Sequence, residues 1–161
     1  MGLDKTPMTP AVRVLRQAGV VFTEHPYTYV ERGGTSTFAE EFGVDEHSVI
    51  KTLIMEDEAK RPLVVLMHGD REVSTKELAR TLGVKSVRPC APETAERHSG
   101  YMVGGTSPFG LRKPMPITIE ESILELPRIY INGGKRGFLV GLDPKDLARI
   151  LKPIPVRAAI S

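Results

Sequence analysis

A single lysine interrupts the apolar run Ser48-Val49-Ile50-Lys51-Thr52-Leu53-Ile54-Met55. Burying an ammonium group without a partner is costly, so Lys51 either snorkels outward as an ordinary strand lysine or faces a cavity that holds an anion. Two glycine-rich segments invite a similar question. In Gly100-Tyr101-Met102-Val103-Gly104-Gly105-Thr106-Ser107-Pro108-Phe109-Gly110, the paired glycines let a backbone come close to a ligand and turn its N–H groups inward, which suits a carbonyl oxygen or a phosphate. The same residues also suit a plain turn. In Asn132-Gly133-Gly134-Lys135-Arg136-Gly137, two cations follow the glycines; they could clamp a phosphate or simply stand in water on a hairpin turn. The fourth candidate is His25-Pro26-Tyr27, whose Tyr27 can line a pocket, stack on a base or fill a core.

No protein nucleophile is advertised. Cys90, the one cysteine, lies between Pro89 and Ala91-Pro92 with no histidine beside it in sequence, and it cannot form an internal disulfide. His47, His68 and His98 fit no metal or triad spacing, there is no GxSxG elbow, and the glycines match neither GxGxxG nor a Walker motif. The expectation is a chain without a structural metal.

The elements that must position these residues can be read from caps and apolar periodicity. Thr9-Pro10 opens a helix over 10–18 that stops at Gly19, and an extended segment runs from Val20 through Tyr27. Residues 33–36 read as a loop, and Thr37 with Glu40 as a capping box for a short helix ending at Gly43. A hairpin covers 49–67, with its turn at 56–62. Ser74 with Glu77 caps a helix over 75–82, and 92–98 forms another that stops at Gly100. Short strands are expected at 84–87, 101–103, 117–119, 129–131 and 138–142, then a helix from Asp143-Pro144 to Leu151. Residues 1–8 and 153–161 read as tails. About seven strands and five short helices without a strict βαβ rhythm give an α/β fold around a mixed, barrel-like sheet.

With 161 residues, the chain suits one domain over 1–161. No apolar run is long enough to span a bilayer and the start has no signal-peptide core, so the expected location is the cytoplasm. The net charge of +2 is unevenly spread. Residues 1–100 hold 13 Lys/Arg against 15 Asp/Glu, a balance of −2, and 101–161 hold 9 against 5, a balance of +4. The second half is therefore the face for an anionic partner, unless its charges are only solvated surface.

Taken in order, the TPA helix, the His-x-Tyr pair, VIKTL, GYMVGGTSPFG and INGGKRG resemble the YbaK/EbsC family of aminoacyl-tRNA deacylases, related to the editing domain of bacterial prolyl-tRNA synthetases. The resemblance spans about residues 8–152. It implies a free-standing editing domain that hydrolyses mischarged tRNA, most often cysteinyl-tRNA(Pro), without metal or organic cofactor and with prolyl-tRNA synthetase as a further partner. Position by position, it puts the essential lysine on Lys51, the pocket tyrosine on Tyr27 and the ester-contacting backbone on Gly104 and Gly105. Thr106, Ser107, Asn132, Gly133, Gly134, Lys135 and Arg136 complete the implied substrate contacts. Two positions depart from the family pattern: Asn132 replaces a usual Ser, and Leu139 a usual Asp. An apolar side chain cannot neutralise an amine, so fold and reaction type transfer better than the identity of the amino acid.

Overall fold

The computed structural model describes residues 7–161, so the first six residues of the expected N-terminal tail lie outside it. Among the described residues there are five α-helices and ten strands: α1 (Pro10–Gln17), β1 (Thr23–Pro26), α2 (Gly34–Phe42), β2 (Val49–Asp57), β3 (Pro62–His68), β4 (Glu72–Val73), α3 (Thr75–Leu82), β5 (Val87–Pro89), α4 (Pro92–Ser99), β6 (Ile117–Glu120), β7 (Ile129–Lys135), β8 (Phe138–Leu142), α5 (Pro144–Leu151), β9 (Ile154–Val156) and β10 (Ala159–Ile160). The main sheet runs β1-β8-β7-β2-β3-β6-β9, with β5 added on β2, and β4 and β10 pair separately. The pairings β2/β7, β3/β6 and β6/β9 are parallel and the rest antiparallel, so the sheet is mixed as expected.

Alternation along β2 sorts the two faces. Ile50 and Ile54 point with Val64, Leu66, Ile131 and Val140 into the main core, which α1 closes with Ala11, Val12 and Leu15 and α5 with Leu147. The opposite face carries two smaller clusters. Leu78 and Ala79 of α3 cover Met55, Leu63 and Val65, while Phe38 and Ala39 of α2 cover Val49 and Leu139. By the same alternation Lys51 belongs to this second face, in the stretch of β2 between Val49 and Leu53.

Local chemistry explains the ends. The Val12 N–H donates to Thr9 Oγ1 at 3.1 Å, and the Glu77 N–H to Ser74 Oγ at 3.2 Å. The Lys145 N–H donates to Asp143 Oδ1 at 2.9 Å, and α2, α3 and α4 all stop at a left-handed glycine.

Several expectations need correction. Helix α2 starts at Gly34 inside the expected loop, and Thr37 sits within it: Gly33 is the cap and makes no side-chain bond. The strand expected at 84–87 lies at Val87–Pro89, where it pairs with Met55–Asp57. Residues 101–103 form no strand, because the buried Tyr101 hydroxyl donates to the Phe109 carbonyl at 2.5 Å and folds the segment back on itself. The GGKRG segment is not all turn: β7 continues to Lys135 through a register shift after Asn132. Finally, 153–161 is no loose tail. β9 adds to β6, β10 to β4, and buried Val156 and Ala158 join the α3 cluster.

That last correction is testable by truncation. A chain ending at Lys152 strips Val156 from its cluster and uncovers β6, and should lose at least roughly 2 kcal/mol in urea unfolding, given the worth of burying one valine. An unchanged midpoint would restore the tail reading.

Candidate functional site

The site lies where the sheet opens. β2 and β7 pair at two positions only, Val49 with Tyr130 and Ile50 with Ile131, and then part. β2 pairs with β3 at seven positions, from Ile50 through Glu56, six of them beyond the fork, and β7 goes on with β8. Lys51 and Asn132 are the first residues past the fork, one on each strand, and both fall on the second face of the sheet.

Asn132 organises one arm. Its Oδ1 accepts from the N–H groups of Gly134 at 2.6 Å and Lys135 at 3.0 Å, which shapes the bulge, and its Nδ2 donates to the Gly104 carbonyl at 3.2 Å. The glycine loop is thus tied to β7. Arg136 adds a second tie, donating from Nε to the Val103 carbonyl at 2.8 Å while its guanidinium lies 5.3 Å from the Tyr29 ring centre. Gly105 is pressed so close that a Cβ there would stand 2.8 Å from the Arg136 nitrogen, and Gly104 holds a left-handed φ of 93° beside the Tyr29 hydroxyl. Both positions require glycine.

On the other arm, Lys51 Nζ stands 4.0 Å from Glu72 Oε1, and its side chain is 22% exposed. It is neither buried alone nor freely solvated. Its one carboxylate neighbour among the described residues is a mostly exposed glutamate whose interaction with it is weak. Thr52 follows on the opposite face, with a buried Oγ1 that has no hydrogen-bond partner, the only such side-chain atom among the described residues.

The remaining sequence candidates divide. Tyr27 sits against Phe38 edge-on at 5.3 Å, its N–H donates to the Gly137 carbonyl at 2.8 Å, and burial pushes its phenol pKa up. Its neighbour His25 is held edge-on by Phe42 at 5.4 Å and Tyr130 at 5.3 Å, with its pKa lowered by burial and then by Arg128. Thr106 Oγ1 donates to the Met102 carbonyl at 3.4 Å, and Ser107, fully buried, accepts from the Phe109 N–H at 3.2 Å. These two hydroxyls serve the loop itself. Gly133 packs on Phe138 and its carbonyl accepts from Thr9 Oγ1, while Gly134, at a φ of 100°, packs on Thr9 and Tyr101. Leu139 pairs with Asn132 across β8 and is buried under α2.

Sequence reasoning missed Tyr29 and the second role of Thr9, both visible only once distant segments meet. It also missed a polar cluster at the base of β2. His47 and His68 stack with ring centres 3.6 Å apart and planes 6° apart. His47 Nδ1 is 2.8 Å from Asp70 Oδ1, and the ring nitrogens of His68 contact the His47 carbonyl and Ser122 Oγ, both at 2.7 Å. These groups lie within metal-binding reach of one another. However, stacked rings aim their lone pairs along parallel planes rather than at one point, and both His68 nitrogens are engaged. As arranged, the cluster braces the strand ends.

Residues 33–150, well over half the chain, match the aminoacyl-tRNA editing domain family. The chain belongs to that family. An Enterococcus faecalis relative of the editing family named "Putative Cys-tRNA(Pro)/Cys-tRNA(Cys) deacylase EbsC" is 30% identical over 140 residues, covering 86% of this chain and 85% of its own. A proline–tRNA ligase of Brachyspira hyodysenteriae is 29% identical over 94 residues, which are 58% of this chain and 16% of the ligase. Among solved structures, a "putative trans-editing enzyme for prolyl tRNA synthetase" superposes with a TM-score of 0.80 at 21% identity, covering 96% of this chain and all of that one. The hypothetical protein APE2540 gives 0.86 at 21%, covering 94% and 99%. These two likenesses concern the fold of the editing domain. Among the described residues no helix is long and apolar enough to cross a membrane.

Two outcomes are expected. Gly105→Ala should lower stability by about 1–3 kcal/mol in thermal or urea unfolding, because its methyl meets backbone that cannot step aside. A neutral result would mean that the loop is not clamped. Cys90, beside Glu56, has its thiol pushed from 9.0 to about 11, chiefly by burial. Native protein at pH 8 should therefore alkylate about 100-fold more slowly than unfolded protein, in proportion to its thiolate. Equal rates would show an exposed, ordinary thiol.

Proposed function

We propose that this editing-family chain, as a single domain over 1–161 acting in trans, cleaves the ester of mischarged tRNA, with cysteinyl-tRNA(Pro) the preferred substrate. The observation that carries this reading is the pairing, across the open fork, of a cation on one arm with a clamped glycine loop on the other. Lys51 would bind the terminal adenosine or its phosphate and neutralise charge growing on the leaving 3′-oxygen. The backbone at Gly104 and Gly105 would hold the carbonyl. Tyr27 would line the pocket, and Gly133, Gly134, Lys135 and Arg136 would contact the tRNA end. Preorganised groups of this kind act without a protein base.

For a cysteinyl ester, the substrate thiol attacks its own carbonyl carbon, the bond to the 3′-oxygen breaks, and the thiol proton passes to that oxygen. The products are tRNA and a cyclic thiolactone, which water then opens. An ester without a thiol needs a positioned water in its place, and the enzyme is then a plain hydrolase.

Leu139 favours a second reading. It pairs with Asn132 beside the fork and is apolar, so an amino acid held there finds no carboxylate for its ammonium from this position. Every aminoacyl ester carries that ammonium, so the departure no longer singles out cysteine, and alanine on the same tRNA is the alternative substrate. A protein that binds tRNA or prolyl-tRNA synthetase and cleaves nothing is the non-catalytic form of this reading.

Incubation with cysteinyl- and alanyl-tRNA(Pro), with and without the synthetase, separates these readings by which amino acid is released. Release of neither rejects the enzyme. Lys51→Ala should cut the rate by about 100-fold or more while leaving the unfolding midpoint near that of the parent. Full activity in that variant would remove Lys51 from the reaction.

A further inference from the structure

The glycine loop has cations near both Gly100 and Val103 that form no ion pair among the described residues. On one flank, Arg136 is tied to Val103 and follows Lys135; both are exposed. On the other, the Arg112 N–H donates to the Ser99 carbonyl at 3.0 Å and the Lys113 N–H to that of His98 at 3.1 Å, which fastens 112–113 against the end of α4 beside Arg97. Arg97, Arg112 and Lys113 are also exposed, and the Arg112 side chain lies over Gly100, where the loop begins.

None of these five cations has a carboxylate within 4.0 Å among the described residues. Of the eleven Lys and Arg within residues 7–95, six do, namely Arg16, Lys51, Arg61, Arg71, Arg80 and Arg88, and beyond the loop Arg149 and Arg157 do as well. Glu96, the acid nearest the loop, instead accepts from the Val103 N–H at 3.1 Å. His98 reports the crowding: after burial, Lys113 and Arg97 are what lower its pKa. Between the flanks the loop exposes Met102 and Val103, at 58% and 42%, an apolar tip with cations on either side.

We infer that Arg97, Arg112 and Lys113 form a second phosphate-binding flank that, together with Lys135 and Arg136, seats the duplex backbone of a tRNA acceptor stem across the glycine loop. The identity of the anion rests on the tRNA-ester reading of the fork. Arg112 lies against Gly100 and Arg136 against Val103, so the loop carries a set of cations at each of these two points, and a duplex offers phosphates along two strands to meet them, with its unpaired end directed to the fork. The flank positions the substrate and touches no reacting atom.

The test compares two charge reversals of equal size. Arg97→Glu with Lys113→Glu removes the flank, while Lys76→Glu with Lys85→Glu reverses two cations of the depression of about 360 Å³ between α3 and residues 84–87. Both pairs are exposed and have no ion-pair partner among the described residues, so each variant should fold. Binding of unacylated tRNA(Pro), and of its acceptor-stem hairpin, is measured by anisotropy over a range of potassium chloride. The flank variant should bind both probes at least tenfold more weakly, with a salt slope smaller by about 2, close to one unit per lost phosphate contact. The depression variant should stay within twofold of the parent. With an aminoacylated substrate the flank loss should fall on KM and not on kcat.

Equal losses in the two variants, no loss in the flank variant, or no tRNA binding by the parent would overturn the inference. The binding arm needs no catalysis. A parent that binds in this pattern but cleaves nothing sinks the proposed function and leaves the surface standing, whereas a parent that cleaves while the flank variant matches it sinks the surface alone.

Discussion

Everything at the site depends on backbone groups that lose their sheet partners. Once β2 and β7 part after Ile50 and Ile131, the polar groups of the next residues on both strands need other company, since unpaired backbone inside a protein is strongly disfavoured. On β7 the answer is Asn132, whose amide serves the bulge with its oxygen and the glycine loop with its nitrogen. On β2, part of the answer is the loop before α4, where the Cys90 N–H reaches the Ile54 carbonyl at 3.1 Å. The opening is held apart by specific bonds, so it is a built feature of the sheet.

This arrangement explains why the glycines stand where they do. A loop drawn against β7 by two hydrogen bonds from side chains comes within contact distance of the strand backbone, and only a residue without Cβ survives that approach at position 105. The helices secure the fork from outside. α1 reaches it through Thr9, which caps the helix and donates to the Gly133 carbonyl with the same hydroxyl, and α2 reaches it through Phe38 against Tyr27. The charge of Lys51 is then tolerated because it sits at the mouth of an opening rather than inside either apolar cluster.

Much of the fold was legible because its signals are local. Thr9, Ser74 and Asp143 announce helices through side chains that act within three residues, and the hairpin of β2 and β3 follows from two apolar runs around a charged turn. What failed was decided at long range. Residues 101–103 have strand composition, yet Tyr101 spends its hydroxyl on Phe109; Ile154 to Ile160 looks like a tail until β6 and β4 offer edges to pair with. At the site, the unusual setting of Lys51 and the two glycine segments were visible as residue types. Their meeting at one fork was not, because nothing in their spacing records the parallel crossing of β2 and β7; Tyr29 reaches Arg136 through the pairing of β1 with β8, and His47 stacks on His68 through the register of the β2–β3 hairpin, which its apolar runs do not fix.

The central claim is that the fork, and no other part of the surface, receives the aminoacyl end of the tRNA. Amide and side-chain NMR shifts, recorded while a non-hydrolysable aminoacyl-adenosine analogue is titrated in, test this most directly. The account predicts saturable shifts at the Gly104 and Gly105 amides, the Asn132 side chain and Lys51, with residues 75–87 unmoved. Shifts confined to 75–87, or none at the glycine loop under saturation, would contradict it.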